Sequence, residues 1–201
     1  MIIFMSDIIC VTARKLCVAD FFEQLGLIAE ARPKFIILRE KDLREEEYVS
    51  LAERAAEICR NKTELVLHYY WKAAISLGAE NIHLPLNVLR VLTETEKKHF
   101  NRIGASCHSV EDAVEAQKLG ADYITAGHVF ATDCKKGLEP RGLDFLGKVC
   151  YSVDIPVFAI GGITPDNICS VRESGAAGAC VMSGFMRCSD PSAFLGEFNR
   201  K

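Results

Sequence analysis

The chain has 201 residues, a net charge of -3, 49% hydrophobic residues and 25% charged residues. That is enough chain for one domain with a buried core, 1–201, and the charge balance excludes a broad electrostatic surface for nucleic acid or an anionic membrane. A small anion would need a local positive site. In chain order, Met1-Ile2-Ile3-Phe4-Met5 is apolar but ends at Ser6-Asp7 and follows no cationic segment, so it reads as neither a signal peptide nor a membrane span. Eight short apolar runs then recur: Asp7 to Thr12, Phe35 to Arg39, Glu64 to Tyr69, Asn81 to Leu84, Arg102 to Ser106, Tyr123 to Gly127, Val157 to Ile160 and Gly178 to Met182. Short, β-branched runs of this kind are what strands buried on both faces require.

Helical patterns separate them. Val18 to Ala31 repeats apolar residues at helical spacing, and Glu45 to Cys59 opens on three glutamates that suit the positive end of a helix. Ser109 to Leu119 begins with a capping serine and stops at Gly120. Arg141 to Tyr151 reads as a helix, as do a segment opening at Thr164-Pro165-Asp166 and ending by Gly175, and Asp190 to Arg200. Trp71 to Leu77 and Val88 to His99 are weaker helices. Eight strand and helix units predict an α/β fold, the (β/α)8 TIM barrel; an open doubly wound sheet would lack the glycine fingerprint after its first strand.

In such a barrel the carboxyl ends of all strands share one mouth. Those ends supply Thr12, Arg39, Lys41, His68 to Tyr70, His83, Ser106 to His108, His128, Gly161-Gly162 and Ser183-Gly184. The glycine pair after strand seven and Ser183-Gly184 after strand eight suit a phosphate, because bare backbone amides can converge on its oxygens, although tight turns alone also need glycine. Arg39 and Lys41, two residues apart, share one side of their strand. They either meet an anionic substrate group or join an internal ion network with Asp42, Glu64 or Asp122. The nine cysteines include no CxxC pair, and most of them read as small hydrophobes in a reducing cytoplasm.

Gly127 to Glu139 concentrates a histidine, hydroxyl, carboxylate, thiol and two ammonium groups in one loop. His128, just past strand six, suits proton transfer near neutral pH or a structural hydrogen bond equally well. His108 suits a ligand contact or a backbone tie. Cys134 has no evident base beside it. Thr132, Lys135 and Lys136 either extend the phosphate field or stand solvated. No metal-ligand spacing emerges among the histidines.

These segments resemble the thiamin-phosphate synthase superfamily along essentially the whole chain. The resemblance rests on Ile37-Leu38-Arg39-Glu40-Lys41, Cys107-His108-Ser109, Gly120-Ala121-Asp122-Tyr123 and Ala159-Ile160-Gly161-Gly162-Ile163-Thr164-Pro165. Gly127-His128-Val129-Phe130 and Thr132-Asp133-Cys134-Lys135-Lys136-Gly137-Leu138-Glu139 resemble its TenI-type thiazole tautomerase branch most closely. The synthases use magnesium held by two aspartates, one in an Asn-Asp-Arg segment after strand three and one beyond a His-Leu-Gly-Gln segment after strand four. Here the matching places read His68-Tyr69-Tyr70 and His83-Leu84-Pro85-Leu86-Asn87-Val88.

The resemblance therefore implies an isomerase without cofactor or metal, converting a carboxylated dihydrothiazole phosphate to its aromatic isomer with His128 as proton carrier. Arg39, Lys41, His108, Gly161, Gly162, Ser183 and Gly184 would bind the phosphorylated thiazole, supplemented by Thr132, Lys135 and Lys136. A divergent magnesium-dependent synthase and a non-catalytic thiazole-phosphate-binding regulatory protein are the alternatives. The expected setting is cytoplasmic, with no nucleic-acid or membrane partner; homo-oligomerisation stays open. Tyr69, Tyr70 and Trp71 either narrow the pocket or pack a loop.

Overall fold

A computed structural model describes residues 6–135 and 137–200. Eight parallel strands close into a barrel in sequence order. They are β1 (Ile8–Val11), β2 (Ile36–Leu38), β3 (Leu65–His68), β4 (Asn81–Pro85), β5 (Arg102–Cys107), β6 (Tyr123–Gly127), β7 (Val157–Ile160) and β8 (Gly178–Val181). All eight expected strands are present, and β1 pairs with β8 through Ile8 and Ala179, which closes the ring and rules out the open sheet. Around them run α1 (Phe21–Ala31), α2 (Glu45–Cys59), α3 (Trp71–Ser76), α4 (Leu86–Leu89), α5 (Glu94–Lys97), α6 (Val110–Lys118), α7 (Gly142–Ser152), α8 (Ile168–Glu173), α9 (Ser183–Arg187) and α10 (Pro191–Asn199).

Alternation along the strands decides what fills the barrel. Ile9, Val11, Phe35, Ile37, Val66, Tyr123, Phe158 and Cys180 point inward and pack together. Their alternate neighbours, such as Ile8, Cys10, Ile36 and Leu38, pack outward against the helices. The inward row of β2, Phe35 and Ile37, continues to Arg39 and Lys41. Period two thus carries two cations to the mouth.

Several helix limits differ from expectation for local reasons. α1 starts three residues after Val18, because the Asp20 carboxylate accepts from Phe22 N and Glu23 N and so marks the first turn. The segment Thr164-Pro165-Asp166 is a turn and not a helix start. Asn167 closes it, accepting from Thr164 N at 2.9 Å and donating to Gly162 O at 2.8 Å, and α8 begins at Ile168. The expected helix from Val88 to His99 is two short ones, separated where Thr93 and Glu96 form a capping box at the start of α5. α10 begins where expected, with Asp190 accepting from Ala193 N at 2.9 Å.

Buried polar ties lock helices to the barrel. Tyr48 of α2 donates its hydroxyl to Leu38 O at 2.7 Å and accepts from His68 N at 2.8 Å, fixing the ends of β2 and β3 to each other. Gln24 of α1 donates to Phe185 O at 2.6 Å and Cys188 O at 2.9 Å. At the opposite end of the barrel Arg172 donates to both carboxylate oxygens of Asp7, at 2.8 and 3.0 Å, and to Phe198 O at 3.2 Å. All nine cysteines are free thiols; Cys10, Cys59, Cys107 and Cys180 are buried, as small hydrophobes should be, while Cys134 is exposed. No helix among the described residues is long and apolar enough to cross a membrane.

Candidate active site at the barrel mouth

A cavity of about 590 Å³ opens at the carboxyl ends of the strands. Val11, Ile37, Ile160 and Cys180 form an apolar floor. Above it Arg39, Lys41, His68, His83, Ser106, His108, His128, Thr132, Lys135, Gly161, Gly162 and Ser183 line the walls, so the expected site residues converge from seven of the eight strand ends or the loops beyond them. Lys136 lies outside the described residues. Gly184 is not on the wall: it starts the short α9, and a Cβ there would meet the Phe194 ring, so its need is for packing.

The second-strand cations face the cavity, and the ion network weighed for them does not form. Asp42 pairs instead with Arg14 at 2.6 Å and Lys15 at 2.7 Å, and Glu64 pairs with Arg102. Glu40, on the opposite side of the strand, accepts from Thr12 Oγ1 at 2.7 Å and from Arg14 N at 3.0 Å. Thr12 in turn accepts from Arg39 N at 2.9 Å, so it supports the mouth from behind and does not line it. Burial lowers the pKa of Arg39; burial, then Arg39, then Lys135 lower that of Lys41. Proximity of like charge is thus written into the site.

Between these cations and the floor stand two stacked imidazoles, His68 and His83, with centroids 6.0 Å apart. His83 contacts Tyr123 OH through Nδ1 at 3.0 Å and Ser106 Oγ through Nε2 at 2.9 Å. Gly104 makes room for this arrangement, since a Cβ there would fall on the Tyr123 ring and 2.5 Å from His83 Nδ1. Burial, then Lys41 and Arg39, push His83 down to about 3. Burial, His83 and the same two cations hold His68 well below the usual imidazole range. Both rings are neutral at neutral pH.

The loop after β6 docks against the loop after β7. Val129 N donates to Ile160 O at 2.9 Å and Phe130 N to Gly161 O at 3.0 Å. Gly161 and Gly162 have φ of 99° and 68°, and a Cβ on either would collide with His128 or with Ala131 O. The glycine pair therefore answers a close backbone approach as well as leaving the cavity wall bare. His128 lines the cavity and places Nε2 3.3 Å from Leu138 O. His108 ties strand ends together, with Nδ1 2.9 Å from Gly127 O, while its backbone N–H donates to Asp112 at 2.8 Å. Tyr69 to Trp71 pack outside the cavity: Tyr70 donates to Leu43 O at 2.6 Å and its ring lies 5.0 Å from that of Tyr48.

Sequence reasoning assigned no site role to Asn87, Asp112 or Thr125, which also line the cavity, and Asp133, the carboxylate of the loop singled out after strand six, lines it too. Thr125 was findable, as the inward residue two before Gly127; Asn87 and Asp112 enter from helices and carry no strand signal. Magnesium does not fit the donors at the two places where the synthases carry aspartates. The ends of β3 and β4 offer imidazole, phenol and amide where a hard cation prefers carboxylates. Among the described residues no group of three or more His, Cys, Asp or Glu could hold a metal.

Fold and mouth together define a β/α-barrel protein with one electropositive cavity built for a small anionic ligand. The sequence model of the family described as thiamine monophosphate synthase matches residues 8–185. A thiamine-phosphate synthase of Fusobacterium nucleatum is 33% identical over 184 residues, covering 90% of this chain and 89% of that one. One of Syntrophomonas wolfei is 34% identical over 178 residues, covering 85% and 83%. The solved thiamine phosphate pyrophosphorylase of Pyrococcus furiosus superposes with a TM-score of 0.81 at 28% identity, covering 98% of this chain and 94% of that one. The chain belongs to the thiamine-phosphate synthase superfamily.

These relatives correct the expected activity. The family and these relatives carry the names thiamine-phosphate synthase or pyrophosphorylase, not thiazole tautomerase, so the isomerase reading is set aside. The proton-carrier role given to His128 belonged to that reading and falls with it. Similarity over residues 8–185 outweighs the one loop and the two missing aspartates on which the isomerase reading rests.

Proposed function

We propose that this chain performs the joining reaction of its family, diverged at the ends of β3 and β4. The nitrogen of a thiazole phosphate attacks the methylene carbon of a pyrimidine pyrophosphate; a C–N bond forms, the C–O bond to pyrophosphate breaks, and both electrons leave with the pyrophosphate. The observation that carries this reading is one cavity lined both by cations, Arg39, Lys41 and Lys135, and by bare glycine backbone, Gly161 and Gly162. Two anionic groups can be held apart with the reacting atoms between them.

In this assignment Gly161, Gly162 and Ser183 take the thiazole phosphate through backbone and hydroxyl groups. Arg39, Lys41 and Lys135 meet the pyrophosphate, where negative charge grows as the C–O bond breaks. His108 and Thr132 shape the wall beside them, and Gly184 acts from behind by seating α9. The apolar floor removes water from beneath the charges, which strengthens each contact.

The test is incubation of the purified chain with both substrates while joined product and released pyrophosphate are measured. Stoichiometric formation of both is expected. Arg39→Gln should lower kcat/KM by about 10²–10³-fold, the scale for one preorganised charge-stabilising donor. Absence of product under conditions where both substrates bind would overturn the reading.

A further inference from the structure

Arg39 and Lys41 project into the cavity, and among the described residues neither side chain forms an ion pair. The carboxylates next to them in sequence are committed elsewhere, Glu40 to Thr12 and Arg14, Asp42 to Arg14 and Lys15, and of the two that line the cavity Asp112 accepts from His108 N. Lys135, from the loop after β6, lines the same cavity and is close enough to Lys41 to help lower its pKa. His68 is only 4% exposed, lines the cavity, and its ring has no hydrogen-bond partner among the described residues. No side-chain nitrogen or oxygen among the described residues is both buried and unpartnered, so the His68 ring nitrogens open onto the cavity with hydrogen-bonding capacity that a ligand can take up. His83 cannot share a metal with it, because both ring nitrogens are engaged, by Tyr123 and by Ser106.

Resting on the joining reaction above, we infer that this site binds pyrophosphate by protein cations and the neutral His68 imidazole, without a divalent ion bridging ligand and protein. The chemistry is consistent on each count. A magnesium bridge needs clustered oxygen anions on the protein side; here the ends of β2, β3 and β4 present guanidinium, ammonium and imidazole groups, and the cavity's two carboxylates, Asp112 and Asp133, belong to no group of three or more potential metal ligands among the described residues. Ammonium and guanidinium groups supply the charge directly, and guanidinium can grip two oxygens at once. A neutral His68 adds one N–H donor to a ligand oxygen.

Calorimetric titration of the full-length chain with inorganic pyrophosphate, once in excess chelator and once in excess magnesium, tests this. Binding is expected in chelator, and magnesium should not tighten it. Lys41→Gln and Arg39→Gln should each weaken binding in chelator by about tenfold or more. His68→Phe, which keeps the stack on His83 but removes the donor, should weaken it by about threefold to tenfold. Thermal unfolding confirms that each variant is folded. Binding seen only with magnesium, or unchanged in both cation variants, would overturn the inference and leave the joining reaction standing. Chelator-resistant binding with no joined product would overturn the joining reaction and leave this site intact.

Discussion

His83 shows how one side chain governs several properties. It is buried, hydrogen-bonded at both nitrogens and wedged over Gly104. Gly104→Ala should lower the unfolding free energy by about 1–3 kcal/mol, since the new methyl overlaps the Tyr123 ring; urea denaturation reads this, and an unchanged midpoint would contradict it. The depressed imidazoles also set a pH dependence. Below about 6.5 the unfolded chain protonates His68 and His83 while the folded chain does not, so stability falls as pH drops from about 6.5 toward the folded-state value. For His83 that value is about 3. The slope is at most about 1.4 kcal/mol per pH unit for each imidazole. Urea midpoints measured between neutral pH and pH of about 5 should decline, and His83→Asn should flatten the decline. Neither imidazole's state was legible in the sequence, where both counted only as polar capacity. Their neutrality comes from burial and from two cations, and only folding supplies either.

Among the elements, α2 has the closest bearing on the mouth, because Tyr48 holds the ends of β2 and β3 by one hydroxyl. Tyr48→Phe keeps the ring and strands the His68 N–H, so a loss of about 1–3 kcal/mol is expected in chemical denaturation. The same change should weaken pyrophosphate binding, because Arg39 and His68 lie one residue beyond or at those ties. α1 offers a control away from the cavity: Asp20→Ala removes two capping bonds and should cost about 1 kcal/mol with ligand binding unchanged. Strand positions and the helices with strong caps were readable, since alternation, capping serines and aspartates act locally. The split between α4 and α5 and the turn before α8 were not. In the second case Asn167 bonds back to Gly162, a contact that exists only after the chain has turned around the end of β7.

For the whole molecule, closure of β1 on β8 turns separate strand ends into a site, and Arg172 clamps that seam from below. Arg172→Ala should cost about 1.5–3 kcal/mol through two charge-assisted bonds to Asp7, lowering Tm by roughly 5 °C for a chain this size. A variant melting with the parent would show the seam to be held elsewhere. The barrel class was legible from eight regularly spaced apolar runs, and most of the mouth from reading their ends. The chemistry was not, because the likeness of one loop to the tautomerase branch points away from the synthase name that the family model carries over residues 8–185. One feature of the closed barrel remains consequential: the floor of Val11, Ile37, Ile160 and Cys180 beneath Arg39 and Lys41. Mobile counterions cannot enter from that side, so the attraction between the mouth and a polyanion is shielded from one direction only. Raising ionic strength should therefore erode pyrophosphate affinity less steeply than it would for the same three charges on an open surface.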